Sequence, residues 1–141
     1  MPRQEIHEVT DDPTLKGTIM DDSGTRTVVL FLSRFPKAEQ GAGGAQWGIY
    51  WHGPEGPVEE LCIDAFDNKD GTYGAHAHPC GGRVDFIRVG DETPVMTARR
   101  YFEDDDLLTR LFREADKALP PGFMSFVTKI RSRVLAELPA T

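Results

Sequence analysis

Apolar residues recur at every second position through much of the first two thirds of this chain and at every third or fourth position near its end, so strands are expected first and helices last. Leu15 to Met20 and Thr25 to Phe35 flank Asp21-Asp22-Ser23-Gly24 and read as a hairpin, because those four residues suit a turn and Val28-Val29-Leu30-Phe31-Leu32 is apolar and partly β-branched. Pro36 to Gly44 reads as a loop. Ala45 to Trp51 and Val58 to Phe66 form a second hairpin around Gly53-Pro54-Glu55-Gly56-Pro57, with Trp47, Ile49 and Trp51 on one face and Leu61, Ile63 and Ala65 on one face of its partner. Asp67 to Thr72 is the next turn, Val84 to Val89 the next strand, and a short strand is expected around Val95 to Arg99.

The period then lengthens. Asp104-Asp105-Asp106 supplies an N-cap and an acidic first turn, and Leu107, Leu108, Leu111, Phe112, Ala115, Ala118 and Leu119 follow at helical spacing up to Pro120-Pro121-Gly122. A second helix from about Met124 to Glu137 carries Phe126, Val127, Ile130, Val134 and Leu138 on one stripe. The pattern predicts an α+β fold: an antiparallel sheet of about five or six strands followed by two C-terminal helices packed on one face.

A chain of 141 residues is the size of one domain and buries about two-thirds of its unfolded surface, so residues 1–141 are read as a single domain with residues 1–14 as a flexible N-terminal segment. That segment lacks the apolar stretch of a secretion signal, and no apolar run reaches the roughly 20 residues that span a bilayer, so a cytoplasmic protein with no membrane partner is expected. Cys62 and Cys80 make no disulfide framework and are read as free thiols. The formal net charge of −7 opposes non-specific coating of nucleic acid. The charge is uneven: residues 1–106 hold 10 Lys/Arg against 20 Asp/Glu, and residues 107–141 hold 6 against 3. An acidic or nucleic-acid partner would therefore meet the C-terminal part, although solvated outer helix faces explain the same charges.

Candidate chemistry concentrates between Phe66 and Arg83, where two carboxylates, two imidazoles, a thiol, a phenol and a guanidinium lie among glycines and alanines. On extended chain, His76 and His78 point to the same side. They are candidates for a general acid and base beside Asp67 or Asp70, with Arg83 neutralising a phosphate or a developing anion. An EF-hand loop is excluded, because Phe66 and Ala77 would occupy positions that require carboxylates. The paired spacings of zinc motifs are also missing, so no cofactor is expected. Zinc stays open as an alternative through His76 and His78 joined by Cys80 or Cys62. Surface histidines in a glycine-rich turn are the plain reading of the same residues.

Phe66-Asp67-Asn68, then His76-Ala77-His78 with Gly81-Gly82 behind it, a hairpin before them and the helix Asp104 to Leu119 after them, resemble the TumE-type toxins of bacterial toxin–antitoxin pairs over about residues 15–119. The resemblance implies a toxin-like component of a bacterial or phage defence module and makes Asp67, Asn68, His76 and His78 its site candidates. Action on RNA through the His-x-His segment is the expected activity, and an antitoxin is then the expected protein partner. The contrasting expectation is a non-enzymatic acidic protein that occupies a basic surface of a partner such as a target enzyme. Homodimerisation through a sheet edge or helix face is a further expectation. Trp47, Tyr50 and Trp51 cannot all share one side of a strand, and Tyr50 is expected to be the odd one out.

Overall fold

A computed structural model of the chain describes residues 3–6, 15–21, 25–33, 43–67, 73–86 and 89–138; at 3–6, 15–21, 31–33, 43, 67 and 73 it describes the backbone without the side chain. Strands β1 (Arg3–Ile6), β2 (Leu15–Asp21), β3 (Arg26–Ser33), β4 (Gly43–Gly53), β5 (Gly56–Asp67), β6 (Tyr73–Ala77) and β7 (Val84–Asp85) form one antiparallel meander, each hydrogen-bonded to its neighbour in sequence. Helices α1 (Pro94–Glu103), α2 (Asp105–Glu114) and α3 (Phe123–Glu137) follow. The chain is therefore α+β, with strands first and helices last as the periodicities predict.

Alternation builds the core. Val28 and Leu30 of β3, Ala45, Trp47 and Ile49 of β4, Leu61, Ile63 and Ala65 of β5, and Ala75 and Ala77 of β6 are all buried on the face that meets the helices. Val28 stands opposite Ile49, Leu30 opposite Trp47, and Ile63 opposite both Trp47 and Ala77, so successive strands interlock across one layer. Trp47 anchors the helices: its indole N–H donates to the Ala98 carbonyl at 2.9 Å and its ring meets Phe102 edge-on at 4.8 Å between centroids.

Four expectations change. The short strand expected around Val95–Arg99 is helix α1, because Thr93 caps it by accepting from Met96 N, Pro94 opens it, and Pro94, Thr97, Ala98, Tyr101 and Phe102 form a buried stripe at helical spacing. The helix expected to run from Asp104 to Leu119 begins on that cap, where the Asp104 carboxylate accepts from Asp106 N and Leu107 N, but it ends at Glu114. Asp116 then turns left-handed at φ 56° and Lys117 N donates back to the Phe112 carbonyl, which closes the helix and leaves Ala118 and Leu119 exposed. Of the strand expected over Val84–Val89, Val84–Asp85 is strand and Phe86 and Val89 are not, while residues 87–88 lie outside the described residues. Within the N-terminal segment expected to be flexible, Arg3–Ile6 pairs with β2 in the register Arg3 opposite Met20. The loop expected over Pro36–Gly44 lies outside the described residues up to position 42, and Gly43 and Gly44 belong to β4.

A bulge ties the sheet to the α2–α3 connection. Ile49 faces Leu61 while Tyr50 faces Glu59, so Glu60 is the extra residue of β5. Glu60 is buried, and its carboxylate accepts from Arg26 Nε at 2.7 Å and Nη2 at 3.1 Å. Arg26 Nη2 also donates to the Pro121 carbonyl at 2.6 Å. Gly122, at φ 77°, starts α3 directly above that guanidinium, where a Cβ would come within 3.0 Å of Arg26 Nη1. Replacing Arg26 alone by Met leaves Glu60 as an unpaired buried charge and is expected to cost about 3 kcal/mol in urea unfolding. The double change Arg26→Met with Glu60→Leu should recover most of that loss; equal losses in the single and double variants would contradict this account of the bulge.

Candidate metal centre

The same alternation that buries Leu61, Ile63 and Ala65 sends Cys62, Asp64 and Phe66 to the face of β5 away from the helices. On β6, Ala75 and Ala77 point inward, so Gly74 and His76 lie on that opposite face. The register places Asp64 across from His76, and two residues further along, past Ile63 opposite Ala77, His78 N donates to the Cys62 carbonyl at 2.9 Å. Two neighbouring pairs, Asp64 with His76 and Cys62 with His78, thus form the corners of a rectangle on the open face of the sheet.

Side-chain geometry draws three of these corners together. His76 Nε2 is 3.1 Å from Asp64 Oδ2, with side-chain exposures of 19% and 25% that keep both within reach of solvent. The His76 and His78 rings meet edge-on, their centroids 4.9 Å apart. One donor atom from each of Asp64, His76 and His78 lies within 4.8 Å of the others. Tetrahedral zinc with bonds of about 2.0–2.2 Å separates its ligands by about 3.5 Å, so small side-chain rotations suffice to close the group around an ion.

The turn after β6 orients His78. Pro79–Gly81 makes a single 3-10 turn with Cys80 at φ 46° and Gly81 at φ 84°, and it brings the Gly82 carbonyl to 3.1 Å from His78 Nδ1. A carbonyl can only accept, so Nδ1 carries the proton and Nε2 of the neutral ring keeps its lone pair, the arrangement found behind metal-bound imidazoles. Phe66 borders the site. Its ring lies 6.1 Å from His76 and directly across Gly74, where any Cβ would come within 2.4 Å of it.

On the β4 side, Gln46 Nε2 donates to Cys62 Sγ at 3.4 Å, and the Tyr50 hydroxyl donates to Glu59 at 3.0 Å. Burial, reinforced by the Glu59 carboxylate, pushes the Tyr50 phenol up to about 12. Burial also raises the Cys62 thiol to about 12, the Asp64 and Glu59 charges adding to it while the Gln46 hydrogen bond opposes it. Cys80 is raised chiefly by burial as well, and it packs against the helix-side core.

Of the residues expected to form a site, His76 and His78 share one face and one cluster. Their carboxylate partner is Asp64, which sequence reasoning passed over in favour of Asp67 and Asp70. The signal was present: with Leu61, Ile63 and Ala65 facing inward, Cys62 and Asp64 had to face outward. What the sequence lacked was the strand that pairs with β5. Arg83 lies on the exposed surface before β7, with Nε and Nη2 each 3.0 Å from Asp85 Oδ1, and is already committed to that carboxylate. Asp67 ends β5 opposite Tyr73, and Asn68 and Asp70 lie outside the described residues. Tyr50 faces away from the core as expected, while Trp51 is 38% exposed at the end of β4.

A scan against protein-family models, a search of curated proteins and a search of solved structures each return no match. No helix among the described residues is long and apolar enough to cross a membrane.

With its thiol at about 12, Cys62 is about one part in ten thousand thiolate at pH 8. In a Cys80→Ser variant, the native protein should therefore resist Ellman's reagent and react fully once unfolded in guanidinium. Rapid stoichiometric labelling of the native variant would contradict the burial of this thiol.

Proposed function

We propose that this is a metal-binding protein that holds one zinc-class ion through Asp64, His76 and His78 on the open face of its sheet. The observation that carries the reading is the convergence of the three donor atoms within 4.8 Å, from β5, β6 and the residue that follows β6. Two imidazoles and one carboxylate suit a borderline ion such as zinc better than magnesium or calcium, which favour all-oxygen shells. The Gly82 carbonyl supports the reading by presenting His78 with its Nε2 free.

A second reading draws on the 3.1 Å approach of His76 Nε2 to Asp64 Oδ2, which suits proton transfer without a metal. A toxin-like protein acting on RNA would use the pair in that way. RNA, however, would bring its phosphates to a face that carries Glu59, Asp64 and Asp85, beside an Arg83 already paired with Asp85. Electrostatics therefore favour the metal over the polyanion. The same acidity fits the non-enzymatic alternative, in which the protein occupies a basic surface of a partner.

Calorimetric titration of the chelator-treated, untagged full chain with zinc tests the proposal. One site with micromolar or tighter affinity is expected, weakened at least about 100-fold by the double change His76→Ala and His78→Ala. Absence of saturable binding, or binding that the double variant retains, would overturn it.

A further inference from the structure

Three donors leave one corner of the rectangle unassigned, and that corner is a cysteine. Resting on the metal reading above, we infer that Cys62 is the fourth ligand of the same ion, which makes this a closed Asp-His-His-Cys centre for thiophilic metals.

Position carries the inference. Just past the end of β6, His78 is joined to Cys62 by the 2.9 Å bond from His78 N to the Cys62 carbonyl, which continues the register that sets Asp64 across from His76. Cys62 and Asp64 are two residues apart on one strand, so their side chains leave the same face of β5. The sulfur already stands 4.0 Å from Asp64 Oδ2, the carboxylate oxygen that also faces His76 Nε2. A metal bonded to that oxygen needs sulfur at about 2.3 Å, so Cys62 Sγ, which lies outside the 4.8 Å group of Asp64, His76 and His78, would have to swing toward the ion as it binds.

The surroundings of the sulfur fit a ligand. Gln46 Nε2 donates to it at 3.4 Å, a contact that would orient a thiolate and stabilise its charge. Cys62 is only 4% exposed, so an ion bonded to it would be shielded from solvent on that side. Cys80 does not compete, because its side chain packs against the helix-side core. Coordination forms the metal–sulfur bond and breaks the S–H bond, with the proton passing to solvent and no change in oxidation state. Four protein ligands fill a tetrahedral shell, as structural sites do, whereas catalytic sites keep one position for water. The centre would therefore hold a soft ion for structure, sensing or storage and would leave no position for a substrate.

Ultraviolet titration of the reduced, untagged full chain with cadmium reads the sulfur separately from the other ligands. A thiolate-to-cadmium charge-transfer band that saturates at one equivalent is expected in the wild type and in Cys80→Ser. Cys62→Ser should lose the band and bind cadmium at least about tenfold more weakly by calorimetry, while keeping the wild-type circular dichroism. Calorimetric binding of one cadmium without the band in wild type would overturn the role of Cys62 and leave the three-ligand site intact. A band that survives in Cys62→Ser and disappears in Cys80→Ser would overturn it too. Failure of wild type to bind cadmium at all would remove both the inference and the metal reading beneath it.

Discussion

The pairing of β6 with β5, with Asp64 opposite His76, is the contact on which both the core and the candidate site depend. A strand has a side-chain period of two, so slipping this register by one residue would turn His76 toward the helices and Ala77 toward solvent. Burial enforces the register. Ala75 and Ala77 sit among Ile63, Ala65 and Val84 beneath the helices, in space that admits nothing as large and polar as an imidazole. The site is thus the reverse side of the core: the alternation that buries Ala75 and Ala77 also aims His76 at the opposite face.

Helices on one side of the sheet and polar chemistry on the other also explain where the charges settle. The buried pair of Arg26 and Glu60 and the Glu92–Arg100 pair belong to the helix side, the second with its carboxylate held below the usual range by the Arg100 hydrogen bond and those from Val89 N and Thr97 against the opposing effect of burial. The open face instead collects acceptors: Asp64 and Asp85 flank His76 on the neighbouring strands and Glu59 accepts from Tyr50, with Arg83 paired to Asp85. A face of this kind attracts cations, and two imidazoles beside a carboxylate are a donor set suited to a borderline metal ion.

Much of this architecture was legible in the chain. The alternation of Trp47 and Ile49 and of Leu61, Ile63 and Ala65 assigned the core face, the i, i+2 spacing put His76 and His78 on one side, and the Asp104 cap started α2. Three features were hidden for physical reasons. Helix α1 carries Val95, Thr97 and Tyr101, residues at home in strands, and its identity rests on a Thr93 cap and on burial against Trp47 that only the tertiary structure supplies. The end of α2 lies in a left-handed Asp116 that the apolar spacing of Ala118 and Leu119 concealed. Asp64 escaped notice because a residue joins a site through its cross-strand neighbour, and a strand's own sequence does not name the strand beside it.

Closure of Cys62, Asp64, His76 and His78 around one ion on the open face is open to direct test. X-ray absorption at the zinc edge, on protein loaded with one equivalent, reads that coordination shell directly. Two imidazoles, one carboxylate oxygen and one sulfur at about 2.3 Å are expected. A shell of oxygens alone, with no imidazole scattering, would contradict it.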